Sequence, residues 1–233
     1  MLPTDSDQSL RLNKFIATHT GMARRQADDL IIDGLVTING KVAELGNRYQ
    51  PGDQIAVRGS LIELRPTATT ILFHKPSGYV CSRRQQGDSP TIYSLLPTEL
   101  RSLKPVGRLD RDSSGLLLLT DDGDLAHRLT HPKFHKQKSY LVELSTKLQP
   151  LHQQMISDIG ITLEDGRSQL TLERQEDGND YKWKILMHEG RNRQIRRTFA
   201  AVGYDITGLH RITFGDYQLG DLEIAKFQPI NLT

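Results

Sequence analysis

Apolar residues at helical spacing predict two short helices near the start of the chain. The first begins at Leu10 and stops at Gly21, and the second covers residues 23–34. Residues 1–9 are polar and aperiodic, which predicts a frayed tail. The predicted apolar faces are Leu12, Phe15 and Ile16 in the first helix and Ala27, Leu30 and Ile31 in the second.

Short strands follow these helices. The pair Asn39-Gly40 is typical of a two-residue hairpin turn, and apolar residues alternate on both sides of it. A second turn at residues 51–53 precedes one more strand, so residues 10–65 are predicted to form a small domain of two helices and a β-hairpin sheet. Residues 65–70, RPTATT, lack an apolar face and are predicted to be a flexible linker.

The pattern from residue 70 onward mixes strands with helices. Runs of strand length, such as 116–119 and 182–187, outnumber the helical stretches, of which the clearest is 191–204. Tight turns join many neighbours, which favours antiparallel pairing. The chain is therefore predicted to be an α+β protein in which residues 70–233 form a mixed, largely antiparallel sheet flanked by helices.

Composition narrows the possible functions only slightly. The 30 Lys and Arg residues nearly balance the 28 Asp and Glu residues, so the net charge of +2 does not by itself indicate a nucleic-acid partner. A single cysteine, Cys81, excludes an internal disulfide and a multi-cysteine metal site, which favours a reducing cytoplasmic location. The first residues do not resemble a secretory signal, and no apolar run approaches the length of a membrane span, about 18 residues, so no membrane association is predicted.

Two acidic residues precede the longest apolar strand. Asp110 and Asp112 lie beside Arg108 and Arg111 in the stretch VGRLDRDSSG. A turn at residues 112–115 would leave Asp110 at the mouth of the strand, where a side chain can enter a cleft. Spacing alone leaves two interpretations open, a reactive carboxylate and a structural aspartate in a turn.

Arginines dominate the stretch EGRNRQIRR. Arg193 and Arg197 share one face of the predicted helix, whereas Arg196 lies at the edge of the apolar side that Ile195 and Phe199 mark. Because an unpaired charge at the edge of a core is costly, we expect a carboxylate beside Arg196. A charged, solvated surface explains Arg191 and Arg193 well and Arg196 less well.

A second basic group belongs to the first predicted domain. Arg24 and Arg25 open its second helix, where positive charge opposes the helix dipole. Contact with phosphate would account for them, and so would a solvated helix face, so both interpretations stay open. Further basic residues of the same domain are Arg11, Lys14 and Lys41.

Several other kinds of site lack support in the sequence. Pro132 interrupts any helix shared by His127, His131 and His135, and no cysteine or carboxylate stands at ligand spacing, so zinc is not predicted. The acidic residues 121–124 lack the closing glutamate of a calcium loop. Neither a G-x-S-x-G nucleophile turn nor a G-x-x-x-x-G-K-[ST] phosphate loop occurs.

Nearly the whole chain resembles two known families. Residues 10–58 resemble the S-four-type RNA-binding domain, although Ala23 stands where that module often has a helix-capping serine, a change that costs about 1 kcal/mol. Residues 70–233 resemble the RsuA-like family of ribosomal RNA pseudouridine synthases. The motifs that carry this second resemblance, in the family's order, are FHKPSGYVCS, VGRLDRDSSGLLLLTDDGDLAHRLTHP, KSYLVEL, EGRNRQIRR and LHRITFG.

The second resemblance implies roles for individual residues. The aspartate of GRLD, Asp110, corresponds to the nucleophile, and the tyrosine of K-x-Y, Tyr140, to the active-site tyrosine. The basic residue of QIR, Arg196, would pair with that aspartate, and Leu209 of LHR would help floor the uracil pocket. The family uses no metal and no cofactor. We also expect substrate contacts from Arg108 and Lys138, and RNA contacts from Arg11, Lys14, Arg24, Arg25, Lys41, Arg191, Arg193 and Arg197.

The implied reaction is the isomerisation of a specific uridine in 16S or 23S ribosomal RNA. Uridine is attached to ribose through nitrogen 1 and pseudouridine through carbon 5, so the base must detach, rotate and reattach. Asp110 could attack carbon 6 of the uracil or carbon 1′ of the ribose, or assist elimination to a glycal with Tyr140 near the 2′ proton. The linker further predicts a monomer with a mobile first domain.

Three alternative functions differ in what they require. A binding protein with an inactive second domain would have lost the Asp110, Tyr140 and Arg196 set, which is present. A glycosidase needs two acids that flank a sugar, and Asp112 is too close in sequence to Asp110 to face it across a substrate. A synthase for transfer RNA differs only in the RNA it binds. The residues of the motifs GRLD and EGRNRQIRR resemble those of the ribosomal RNA enzymes and favour ribosomal RNA.

Overall fold

The computed structural model describes residues 9–64 and 68–230, and their contacts divide them into two compact units. The first unit contains the residues up to 68 together with 121–123, and the second contains 69–120 and 124 onward. The tail predicted for the first residues and positions 65–67 of the predicted linker lie outside the described residues.

The first unit packs two helices against short strands. The predicted hairpin turn is confirmed, since Asn39 and Gly40 both have positive φ angles, 51° and 80°, as this turn type requires. The strands pair in the orders β1-β4 and β3-β2-β5-β6. The elements are β1 (Leu10–Arg11), α1 (Leu12–Thr20), α2 (Arg24–Ile32), β2 (Val36–Ile38), β3 (Lys41–Val42), β4 (Arg48–Tyr49), β5 (Ile55–Val57) and β6 (Ser60–Leu61).

Both helices have the predicted apolar faces, with small differences at their ends. Helix α1 begins at Leu12 rather than Leu10, because residues 10 and 11 pair with β4 instead. It ends as predicted at Gly21, which adopts a left-handed conformation and donates to Ala17. At the start of α2 the Gln26 side chain accepts from the Ala23 amide at 3.0 Å, so part of the capping survives without the serine.

The second unit is a mixed sheet with a few short helices. The predicted α+β class is therefore confirmed, and pairing is largely antiparallel. Its elements are β7 (Thr70–Lys75), β8 (Lys104–Val106), β9 (Ser114–Thr120), α3 (Gly123–Thr130), β10 (Lys138–Leu144), α4 (Pro150–Gln154), β11 (Ile161–Leu163), β12 (Gly166–Ser168), β13 (Thr171–Arg174), β14 (Lys182–Met187), α5 (Gln194–Ala200), β15 (Ile206–Phe214), β16 (Tyr217–Gln218) and β17 (Phe227–Pro229), with 3-10 turns at Ile92–Leu95, Thr98–Leu100 and Pro132–Phe134 and a π-helical turn at Met155–Ile159.

The main sheet buries apolar residues on both faces. Its strands run in the order β13-β14-β10-β15-β9-β7-β17, with β16 beside β15 and β8 beside β9. Alternation along β9 sends Leu117 and Leu119 to one core and Leu116 and Leu118 to the other. Trp183, fully buried, belongs to the first of these cores.

Regular structure is sparse after β7, and one predicted helix is shorter than expected. After β7, Val80 pairs with Thr91 only through an isolated bridge. The helix predicted from residue 191 begins only at Gln194, because Arg193 has a φ of 45° and therefore leaves the helical conformation.

Strands β9 and β15 run parallel and approach each other unusually closely at Gly115. A β-carbon on this glycine would lie 2.2 Å from the backbone oxygen of Arg211 and 2.6 Å from its nitrogen. The φ of Gly115 is 106°, a conformation that disfavours any other residue. Glycine is therefore required where the two strands meet.

We expect Gly115→Ala to lower the free energy of unfolding of the second unit by about 2–5 kcal/mol, since it combines backbone strain with a steric clash. Urea unfolding followed by the fluorescence of Trp183, the single tryptophan, reports on this unit. The control is Gly178→Ala in the second unit, since Gly178 also has a positive φ, 76°, but its β-carbon would meet nothing within 4 Å. Equal stability of the two variants would contradict the required close approach.

Candidate active site

A cavity of about 490 Å³ lies in the second unit, where the loop before β9 and the segment before α5 meet strands β10 and β15. Its volume is within the range of small-ligand sites, about 300–1,000 Å³. The cavity gathers side chains that are far apart in the sequence. The predicted catalytic and substrate-contacting residues that line it are Arg108, Asp110, Lys138, Tyr140, Arg196 and Leu209.

Asp110 stands at the first position of a tight turn that leads into β9. The turn closes through a 3.1 Å hydrogen bond from the Ser113 amide to the Asp110 carbonyl, so it lies two residues earlier than the predicted turn at 112–115. The side chain of Asp110 is about one-third exposed and faces the cavity wall formed by the segment before α5. The turn includes Asp110 itself, and the side chain of Asp110 lines the cavity.

A buried lysine anchors this turn. Lys75, at the end of β7, is fully buried, and burial lowers the pKa of its ammonium group to about 8. A lysine in this position needs acceptors, and the loop supplies them as backbone carbonyls. The Lys75 ammonium group donates to the carbonyls of Pro76 at 2.9 Å, Asp110 at 3.1 Å, Arg111 at 3.4 Å and Ser113 at 2.7 Å.

The ion pair of Asp110 is with Arg193 and not with Arg196, which corrects the predicted contact. Nη1 of Arg193 lies 3.5 Å from Oδ2 of Asp110. The left-handed backbone of Arg193 ahead of α5 accompanies this contact. The guanidinium of Arg196 instead donates to the backbone carbonyls of Ile206 at 3.1 Å and Asp112 at 3.0 Å.

Arg196 nevertheless shares the electrostatic environment of Asp110. Burial, followed by the charge of Arg193, lowers the pKa of Arg196, whereas Asp110 and Asp112 raise it. Its Nε is buried and has no acceptor among the described residues. Arg196 therefore holds the turn through the Asp112 carbonyl and contributes positive charge near Asp110, without contacting the carboxylate.

Tyr140 and Leu209 come from neighbouring strands and line the same cavity. Tyr140 on β10 lies opposite Arg211 on β15, and Leu209 lies opposite Val142. Tyr140 and Leu209 are each 8% exposed, so both present only a small surface to the cavity. Arg211 was not predicted as a site residue, although LHRITFG contains it.

An aspartate outside the predicted site holds the segment before α5. Asp165, in the turn between β11 and β12, accepts from Arg191 at 3.0 Å and from Arg197 at 3.0 Å and 2.7 Å. Arg191 also donates to the carbonyls of Asp165, Gly166 and Arg167. The donors of Arg191 and Arg197, predicted to contact RNA, are thus directed to the protein itself.

Further hydrogen bonds support the same segment. Gln194 is buried, accepts from the Arg191 amide at 3.1 Å and donates to Ser168 at 3.1 Å and to Glu189. No sequence signal pointed to Asp165 or Ser168, because both lie in short strands and turns that have no motif. The contacts that position Arg193 beside Asp110 therefore come from distant parts of the chain.

The basic residues predicted to contact RNA from the first unit differ in their exposure. Arg11, Arg24, Arg25 and Lys41 are exposed, and Lys14 is half-buried. Across the described ranges, 9–64 and 68–230, no group of three or more His, Cys, Asp and Glu side chains could hold a metal ion. None of the helices described in these ranges is both long and apolar enough to cross a membrane.

Comparison with known proteins gives consistent matches in both units. A model of the family described as RNA pseudouridylate synthase matches residues 69–201, and a model of the S4 domain matches residues 10–55. The chain is 38% identical to ribosomal small subunit pseudouridine synthase A of Pasteurella multocida (strain Pm70), over 91% of each chain. It is 37% identical to ribosomal large subunit pseudouridine synthase B of Bacillus subtilis (strain 168), over 94% of this chain and 91% of that protein. A crystal structure of pseudouridylate synthase, 36% identical, aligns with a TM-score of 0.67 over 95% of this chain and 96% of that chain.

We expect Lys75→Met to lower the free energy of unfolding of the second unit by about 1–3 kcal/mol, because buried carbonyls of the loop lose their donor. Urea unfolding followed by Trp183 fluorescence measures this loss. Lys104→Met is the matched control, because Lys104 is an exposed lysine on β8 of the same sheet. Loss in both variants, or in neither, would argue against an anchoring role for Lys75.

Asp165→Asn is expected to release the segment before α5. It removes the charge that holds Arg191 and Arg197, so the backbone amides of residues 189–197 should exchange hydrogen several-fold faster. Hydrogen exchange followed by mass spectrometry measures this change. Glu164→Gln removes a neighbouring charge and should leave the exchange unchanged; similar acceleration in both variants would indicate a general charge effect.

Proposed function

The chain belongs to the RNA pseudouridylate synthase family, and from this premise we propose that it isomerises a specific uridine of ribosomal RNA with Asp110 as the nucleophile. The observation that carries the proposal is the placement of Asp110 in a cavity beside Arg193, with Tyr140 and Leu209 on its walls. Residues 10–65 would bind RNA and residues 70–233 would catalyse, joined by the segment 65–70.

The choice of ribosomal RNA rests on the relatives. The names of the two curated relatives assign one to the small and the other to the large ribosomal subunit, at 38% and 37% identity. Both relatives support a ribosomal substrate. Because their sequence identities to this chain are nearly equal, they favour neither 16S nor 23S RNA. Such a substrate would place the enzyme in the cytoplasm, where we propose that it acts as a monomer.

The reaction breaks the bond between nitrogen 1 of uracil and carbon 1′ of ribose and forms one between carbon 5 and carbon 1′. Carbon 5 loses its proton, and nitrogen 1 gains one, so no atoms are exchanged with a cofactor. Asp110 would attack carbon 6 or carbon 1′, or assist elimination to a glycal. A carboxylate serves the first two routes as nucleophile and the third as base, and the guanidinium of Arg193 lies 3.5 Å from the carboxylate of Asp110.

The walls of the cavity suit the other requirements of the reaction. Leu209 and the ring of Tyr140 offer apolar surface to a uracil, and the hydroxyl of Tyr140 could approach the 2′ proton. Arg108 is exposed at the cavity, where it would contact the RNA strand on either side of the target uridine. These placements support the proposed roles of the residues that line the cavity.

The uridine would have to leave its helix to enter this cavity. Flipping a nucleotide costs a few kcal/mol, which phosphate contacts elsewhere on the RNA can offset. We assign those contacts to Arg11, Lys14, Arg24, Arg25 and Lys41 of the first unit. Arg193 would be reserved for Asp110, and Arg191 and Arg197 for the hydrogen bonds that hold its segment.

We expect Asp110→Asn to lower kcat by at least about a thousandfold, because the amide can act neither as nucleophile nor as base. The purified variant would be incubated with ribosomal RNA from cells that lack the gene, and pseudouridine would be mapped by chemical modification and primer extension. The matched control is Asp112→Asn, since its exposed carboxylate contacts Arg111 and its backbone contact with Arg196 is kept.

Conversion that survives in Asp110→Asn would contradict the assignment of the nucleophile. Equal loss in Asp112→Asn would instead indicate that the turn depends on both acids. Conversion of transfer RNA but not ribosomal RNA by the wild-type enzyme would replace the proposed substrate while leaving the nucleophile in place.

A further inference from the structure

Arg211 is a buried cation, and no carboxylate of the described residues forms an ion pair with it. The residue is 2% exposed, and its Nε donates to the Leu116 carbonyl at 2.8 Å. Its Nη2 is buried and has no hydrogen-bond acceptor among the described residues, and no ion pair of Arg211 occurs within the same ranges. Such an arrangement is costly unless another group supplies the missing negative charge.

A second cation shares the wall of the cavity with Arg211. The Lys138 ammonium nitrogen lies 5.1 Å from the centre of the Phe214 ring, and the Arg211 guanidinium carbon lies 4.9 Å from the same centre. Within the described part of the chain, the ammonium group of Lys138 makes two long hydrogen bonds, each 3.4 Å, to the carbonyls of Lys136 and Glu189. Burial and then the charge of Arg211 lower the pKa of Lys138 to about 8, while Glu189 opposes this shift.

The other cations that line the cavity either have protein partners or are exposed to solvent. The Lys136 ammonium group pairs with Asp216 at 3.0 Å, and Arg193 pairs with Asp110. Arg196 donates to two backbone carbonyls, and Arg108 is exposed to solvent. Lys138 and Arg211 are therefore the two cations beside Phe214 that have no ion pair among the described residues. Both side chains line the cavity that also contains Asp110.

We propose that Lys138 and Arg211 form an anion subsite that holds a phosphate group of the RNA strand beside the target uridine. The uracil is neutral and cannot compensate two cations, whereas every nucleotide carries a phosphate. A guanidinium and an ammonium group are both effective phosphate ligands. Since Arg211 lies opposite Tyr140 across β10 and β15, the subsite adjoins the wall assigned to the base. The proposal rests on the proposed function, because it uses the same cavity for the uridine.

The first test compares the binding of uridine, uridine monophosphate and inorganic phosphate to the full chain by NMR titration. We expect uridine monophosphate to bind the wild-type protein about tenfold more tightly than uridine, as a charge-assisted contact provides. In Lys138→Met this preference should fall to less than about threefold. The control Lys136→Met removes a lysine that is already paired and should keep the full preference.

Arg211→Met is the companion variant, and urea unfolding monitored by Trp183 shows whether its second unit still folds. If Arg211→Met does not fold, Lys138→Met alone tests the subsite. We expect Lys138→Met to fold, because Lys138 is only half-buried. An unchanged preference in Lys138→Met would overturn the subsite. Inorganic phosphate that binds as tightly as uridine monophosphate, without competition between them, would also overturn it as a site for RNA phosphate.

A second test measures the affinity for 16S and 23S ribosomal RNA transcripts over a range of salt concentrations. Loss of one phosphate contact should reduce the slope of log Kd against log salt concentration by about 0.9 in Lys138→Met. An unchanged slope would contradict contact with the RNA backbone. Failure of the proposed function would appear differently, as absent uridine conversion by a wild-type protein that still prefers uridine monophosphate.

Discussion

The ammonium group of Lys75 is the buried charge on which the geometry of the cavity depends. It ties the end of β7 to the carbonyls of the loop that carries Asp110, so the loop cannot move independently of the sheet. Directly after the loop, Gly115 lets β9 meet β15 at a distance that no other residue allows. The loop is therefore fixed at both ends, and the strand that carries Leu209 and Arg211 is fixed beside it.

The opposite wall depends on a second set of polar contacts. Asp165 holds two arginines of the segment before α5, and this segment places Arg193 against Asp110. One side of the site is therefore formed by the sheet, and the other side by the segment before α5 that Asp165 holds in place. Positive charge predominates around the carboxylate, which suits a substrate that is itself a polyanion.

Motifs and apolar periodicity indicated much of this architecture, and long-range contacts account for the rest. Asp110, Tyr140 and Leu209, which the family resemblance singled out, all line one cavity. The sequence could not show which arginine reaches Asp110, because the left-handed backbone of Arg193 interrupts the helix from which the spacing was read. The role of Asp165 could not be predicted either, because it lies in a turn about thirty residues before α5 and no sequence pattern links the two.

The most direct test of the central claim is to map pseudouridines in the ribosomal RNA of cells with and without this gene. We predict the loss of pseudouridine at a specific ribosomal position, restored by the wild-type gene and not by Asp110→Asn. Ribosomal RNA with an unchanged set of pseudouridines in the deletion strain would contradict the account.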